Sequence, residues 1–139
     1  MCYGMRGMSD KPRWRQRFEN LHKAYSLLAE GATAESLTPL ESEGLIQRFE
    51  YTFELCWKTL KDFLNDRGVE VSFPRDALKA AFQQELVSDG DLWLEMLDMR
   101  NTMAHTYNED SFNKAVEAVR IRFFPAIREL VANLETLED

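Results

Sequence analysis

Apolar residues recur along this chain at the spacing of helices and almost nowhere at the spacing of strands. Trp14, Phe18, Leu21, Tyr25 and Leu28 fall at i, i+4, i+7, i+11 and i+14, one face of an amphipathic helix that Gly31 is expected to end. A small, polar loop from Gly31 to Pro39 follows. The longest early pattern comes next, Leu45, Phe49, Phe53, Cys56, Leu60 and Leu64, with Gly68 as its expected C-terminal cap. Ile46 and Trp57 widen that stripe to about a third of the helix circumference, so this helix is expected to touch more than one neighbour.

Val69 to Phe73 is partly β-branched, yet the chain offers no second strand for it to pair with, and it reads as an extended connector. Pro74 suits the first turn of a short third helix with Ala77, Leu78, Ala81 and Phe82 as its apolar side, ending near Leu86. Ser88 to Asp91 supplies cap residues for a fourth helix, where Leu92, Met96, Met99 and Met103 form a narrow core stripe. Ser111 is the expected cap of a last helix carrying Phe112, Val116, Val119, Phe123, Ile127, Leu130, Leu134 and Leu137. Its period survives Pro125, which predicts a kink around Ile121 to Pro125 in place of a break. The fold class is therefore all-α, an antiparallel four-helix bundle with an additional short helix. Residues 11–139 form one helical domain behind a disordered tail, residues 1–10, in which Met1, Met5 and Met8 are alternative starts.

Composition narrows the classes. A length of 139 residues with 45% apolar content suits one packed core. No apolar run approaches the roughly 20 residues of a membrane helix, and the start lacks the apolar centre of a signal peptide, so a cytoplasmic protein is expected. A net charge of −7 argues against a broad nucleic-acid surface. Arg6, Lys11, Arg13, Arg15 and Arg17 concentrate positive charge at the start, so any contact with nucleic acid is expected to be local, in a cleft or through this basic start. Cys2 and Cys56 suggest no disulfide framework, and Cys56 reads as a small buried hydrophobe.

With two histidines, His22 and His105, and no clustered cysteines, the chain has no zinc spacing, and no metal or other cofactor is expected. Its six glycines form neither phosphate-loop nor dinucleotide pattern. His22 lies beside the core stripe of the first helix, in a packing or surface role. Glu50 and Glu54, one turn apart and followed by Lys58, read as a solvated face or a partner-binding edge.

Usable chemistry concentrates in Arg100-Asn101-Thr102-Met103-Ala104-His105-Thr106-Tyr107. On a helix, Asp98, Asn101 and His105 share a face, while Arg100 lies on the adjoining face with Trp93, Leu97 and Ala104. An arginine and a histidine at a helix C-terminus also simply complement the macrodipole, and spacing alone leaves both meanings open. The pattern Arg-x4-His-x-Tyr resembles the signature of the HEPN superfamily, in particular toxins encoded beside a minimal nucleotidyltransferase antitoxin. Phe49-Glu50-Tyr51-Thr52-Phe53-Glu54-Leu55-Cys56-Trp57-Lys58 and Phe73-Pro74-Arg75-Asp76 are similar to a narrower branch, the nucleotidyltransferase substrate-binding proteins. The likeness runs from Trp14 to Leu137.

That resemblance implies a metal-independent endoribonuclease. His105 would transfer protons near neutral pH, Arg100 would hold phosphoryl oxygens, Asn101 would orient substrate or imidazole, and Asp98 would assist that orientation. A single histidine is thin for both acid and base, which, with the wide stripe of the second helix, predicts a homodimer. Tyr107 is the expected acceptor of an adenylyl group from the partner nucleotidyltransferase. The tyrosine packed with its hydroxyl bonded to Asp98 or Asp110 is the plainer role. A different class of function stays open beside the toxin: a non-catalytic subunit that presents a nucleotide or phosphorylated molecule to the same enzyme.

Overall fold

A computed structural model describes residues 11–103 and 108–137 of the chain. Its α-helices are α1 (Arg13–Ala32), α2 (Pro39–Asp66), α3 (Pro74–Gln83), α4 (Gly90–Met103), α5 (Glu109–Ala118) and α6 (Phe124–Glu135). A π-helical turn, Val119–Phe123, joins the last two into one rod. The four long members, α1, α2, α4 and the α5–α6 rod, make the expected bundle, and α3 is the short addition. The predicted tail, residues 1–10, lies outside the described residues.

Hydrogen bonds fix the helix directions. Arg17 donates to Asp62 at 2.6 Å near one end of the α1–α2 pair, and Arg48 donates to the Leu27 carbonyl at 2.6 Å near the other, so the two helices run antiparallel. Arg15 reaches the Leu137 carbonyl at 2.7 Å and Arg120 the Ala34 carbonyl, which sets the C-terminal rod antiparallel to α1 as well. Arg122 on Glu95 and Ser88 on Glu129 do the same for the rod and α4.

The ends of α2 are specified by short-range chemistry. Thr38 accepts from the Glu41 amide at 3.1 Å while the Glu41 carboxylate accepts from the Thr38 amide at 2.8 Å, a reciprocal cap with Pro39 in the first turn. Those bonds hold the Glu41 carboxyl below its ordinary range. At the far end Gly68 takes φ +87°, and the Val69 amide returns to the Leu64 carbonyl at 2.8 Å, as the sequence predicts for this cap. Between its ends α2 buries Leu45, Ile46, Phe49, Phe53, Cys56, Trp57, Leu60 and Leu64. Phe49 stacks on Phe53 at 6.0 Å and on Phe123 of the π turn at 5.6 Å, and Phe53 stacks on Trp93 of α4 at 6.2 Å. The full width of the stripe is thus covered by this chain's own helices, and it creates no need for a second copy.

Several expectations are corrected. α1 runs one residue past Gly31, and Tyr25 is only partly buried, its ring stacked on Phe124 at 5.6 Å. α3 ends at Gln83, with Leu86 buried in the turn beyond, and Phe82 is 49% exposed. The core face of α4 is Trp93, Met96 and Leu97, while Leu92, Met99 and Met103 are only partly buried. The large indole settles the rotation of that helix. The cap of α5 is Asn108, accepting from the Ser111 amide at 2.8 Å, so Ser111 is inside the helix and not before it. The kink expected before Pro125 is the π turn, in which the Phe124 amide bonds back to the Val119 carbonyl. A wider turn eases the fit of a ring that supplies no N–H.

Cys56 is fully buried, and burial pushes its thiol far above the ordinary range. His22 is exposed, with Nε2 3.3 Å from Glu135, a surface role. Among the described residues no helix is long and apolar enough to cross a membrane. Because Phe49 is fully buried where α2 meets the rod, Phe49→Ala is expected to lower unfolding free energy by ~3–5 kcal/mol, measured by chemical denaturation.

Candidate functional site

The site is built at the C-terminal end of α4, where that helix passes α2. Asp89 starts α4, its carboxylate accepting from the Leu92 amide at 3.0 Å and its carbonyl from the Trp93 amide at 3.2 Å. Gly90 lets α3 approach closely: a Cβ there would lie 3.0 Å from Cγ of Phe82. With Trp93 and Leu97 turned into the core, Arg100, at i+7 and i+3 from them, continues the same inward stripe.

That register puts a cation against the apolar layer. The Arg100 guanidinium sits 5.8 Å from the centre of the Phe53 ring, and its Nη1 donates to Oε2 of Glu54 on α2. Nη2 donates to Oδ1 of Asn101 at 3.3 Å. The other Glu54 oxygen lies 3.5 Å from the Lys58 ammonium. Side chains of Arg100 and Glu54 are 25% and 33% exposed, so water screens the pair less than it screens a surface ion pair. A guanidinium carries five donors. Glu54 and Asn101 engage one each on Nη1 and Nη2, and among the described residues the others remain available to an anion.

Glu50 lies one turn before Glu54 and is partly buried. Burial pushes its carboxyl above the ordinary range, and the nearby Arg100 charge pulls it only part of the way back. Two carboxylates, two cations, an amide and an aromatic ring therefore meet at one helix crossing. Trp57, buried beside them, has the Lys58 and Lys61 ammonium groups 6.0 and 5.8 Å from its ring centre.

Of the residues singled out from sequence, Arg100 and Asn101 come together here. Asp98 points elsewhere: its exposed carboxylate accepts from Arg75 of α3 at 3.0 Å. His105 and Tyr107 lie outside the described residues. Glu54 was missed as a site residue, since its i, i+4 spacing with Lys58 suggested a solvated face or partner edge. A signal existed. Glu54 follows Phe53 on the border of an unusually wide apolar stripe, and Arg100 is in register with Trp93 and Leu97, so an inward cation faces that border. The Glu50–Glu54 pair supplies its counter-charge.

Comparison with known proteins gives the site a setting. The family model described as nucleotidyltransferase substrate binding protein like matches residues 16–136. A curated relative, the probable ribonuclease HepT of Haemophilus influenzae, is 33% identical over 72 residues, which is 48% of this chain and 49% of that protein. The chain thus matches about half the length of that relative. A crystal structure from Thermus thermophilus is 32% identical with a TM-score of 0.76, covering 82% of this chain and 98% of that one. A Haemophilus influenzae structure, described as the fold of a substrate binding domain of a nucleotidyltransferase, is 24% identical with a TM-score of 0.71 over 86% and 99% of the two chains. The last similarity speaks to fold.

The environment of Glu50 has a measurable consequence. A carboxyl raised in the folded state binds more protons folded than unfolded between its unfolded and folded pKa, so its burial opposes stability increasingly as pH rises through that window. Glu50→Gln is expected to melt above wild type at pH 7, with the gap closing as pH falls below the ordinary glutamate range. Thermal denaturation across pH 3.5 to about 8 checks it.

Proposed function

The chain belongs to the family described as nucleotidyltransferase substrate binding protein like, and from that premise we propose that it is a HEPN-type toxin, a metal-independent endoribonuclease controlled by a partner minimal nucleotidyltransferase. The observation that carries this reading is the presentation of Arg100, first residue of the Arg-x4-His-x-Tyr pattern, at the end of α4 with donors that no described residue engages. In the proposed reaction the ribose 2′-oxygen attacks the adjacent phosphorus, and the bond to the 5′-oxygen breaks. One proton leaves the 2′-hydroxyl and one joins the departing 5′-oxygen, giving a 2′,3′-cyclic phosphate and a 5′-hydroxyl. His105 transfers protons, Arg100 neutralises the crowded phosphate, and Asn101 orients the groups. The homodimer belongs to this proposal only through the need for a second proton-transfer group.

Control acts at Tyr107. Its phenolic oxygen would attack the α-phosphorus of ATP, pyrophosphate would leave, and the phenolic proton would pass to solvent. The attached AMP brings an anionic phosphate and bulk two residues from His105, repelling RNA. A second reading has its own support: Glu54 already neutralises Arg100, as suits a non-catalytic subunit that binds a nucleotide or phosphorylated molecule for the same enzyme. The Haemophilus influenzae structure described as a nucleotidyltransferase substrate binding domain is similar in fold.

Purified unmodified protein is expected to cut single-stranded RNA in EDTA, leaving cyclic phosphate ends. His105→Ala should lose nearly all activity, and Arg100→Ala about a hundredfold or more. Gel analysis of end-labelled RNA decides: cleavage that survives His105→Ala but stops in EDTA contradicts the mechanism.

Co-expression with the neighbouring nucleotidyltransferase should add one or more AMP units of roughly 329 Da, and Tyr107→Phe should abolish the addition while remaining toxic. Intact-mass spectrometry reads the outcome. A wild type silenced by the partner at unchanged mass rules out adenylylation, and a protein that is toxic in neither form and joins the partner without a change of mass supports the binding-subunit reading.

A further inference from the structure

We propose that Glu54 is the positioning residue of this site, holding the Arg100 guanidinium so that its remaining donors face the RNA phosphate. The inference rests on the ribonuclease reading. An arginine side chain is long and loses considerable rotamer freedom when fixed, and a catalyst gains if that ordering is complete before substrate arrives. Three contacts achieve it here. Glu54 takes Nη1, Asn101 takes an Nη2 hydrogen, and the Phe53 ring lies 5.8 Å from the guanidinium carbon.

The anchor is itself fixed. Glu54 follows Phe53, which is fully buried, so its backbone is held next to a core residue of α2. Its second oxygen faces the Lys58 ammonium at 3.5 Å, which ties the carboxylate on its other side. Glu54 therefore acts through Arg100 and takes no part in proton transfer. The pair also joins residues 46 positions apart in the chain, tying the last full turn of α4, from which the rest of the motif continues, to the central helix.

Glu54 also tempers the cation. Arg100 paired in the resting protein binds a ground-state phosphate less strongly, while the crowded phosphate of the transition state, with more charge on its oxygens, competes better for the same donors. Interactions realised mainly in the transition state raise kcat and leave KM little changed. Removing the Glu54 charge should accordingly lower kcat without raising KM. Loss of folded protein also lowers apparent kcat at unchanged KM, so the rotation of the Arg100 guanidinium in the folded variant is the readout that separates a lost anchor from lost structure.

The test compares wild type with Glu54→Gln, nearly isosteric and uncharged, in two measurements. Steady-state cleavage of a short single-stranded RNA is expected to show kcat reduced by ~10- to 100-fold, the scale of a misplaced catalytic group, with KM equal to or below wild type. Nitrogen-15 spectra of the Arg100 guanidinium, without RNA, are expected to show slow rotation in wild type and fast rotation in the variant. Should Glu54→Gln fail to fold, Glu54→Asp, which keeps the charge and shortens the reach by one methylene, is expected to lower kcat in the same direction. Wild-type cleavage with unchanged kcat in the variant, or equal guanidinium rotation in both, overturns the inference alone. RNA left intact by wild type overturns the ribonuclease reading, and the inference with it.

Discussion

A 28-residue helix with an apolar stripe about a third of its circumference wide must be covered by more than one neighbour, and α2 imposes that demand on the whole chain. α1 lies antiparallel along it, tied at both ends by Arg17–Asp62 and Arg48–Leu27. α3 packs beside it, Trp93 stacks on Phe53, and Phe123 stacks on Phe49. Each neighbour is thereby fixed relative to one shared surface. Polar residues at the margin of that surface inherit a defined position and an environment poorer in water than the exterior. Glu50 and Glu54 are such residues, and the site exists because α4 crosses α2 at that margin.

Much of this was legible from apolar spacing, because helix periodicity follows directly from which side chains must be buried. The stripes of α1 and α2 were read nearly residue for residue, and Gly68 was placed by the conformational demand of its cap. Reading failed where side chains of similar hydropathy compete for the same core. On α4, Leu92, Met96, Met99 and Met103 make a plausible stripe, but the indole of Trp93 has the greater area to bury and turns the helix toward itself. The same rotation moves Arg100 from a flanking position to the inward face. Glu54 was hidden for a related reason: an i, i+4 Glu–Lys pair looks the same from sequence whether its helix face meets water or a cation on another helix.

The site carries signs of a compromise between folding and chemistry. Glu50 is held partly buried with its carboxyl raised, a cost that a purely structural design would remove. Arg100 is ordered by Glu54 and Asn101, yet both acceptors bind its terminal nitrogens without enclosing the guanidinium. A structural salt bridge has no need of spare donors, whereas a phosphate-binding arginine does. The proposed ribonuclease and the binding subunit both require an anion at that position and differ in whether His105 then moves protons. The central claim is therefore where the anion binds.

Titration of nitrogen-15-labelled protein with a short RNA whose 2′-hydroxyls are methylated, and which therefore cannot be cut, tests that claim most directly. The account predicts that the Arg100 guanidinium signals shift and saturate together with the His105 imidazole signals. The strongest shifts should be confined to the end of α4 and the Glu50–Lys58 face of α2. Saturating shifts centred elsewhere, for example on the open groove lined by Lys79, Phe82 and Leu94, with Arg100 unmoved, would contradict it.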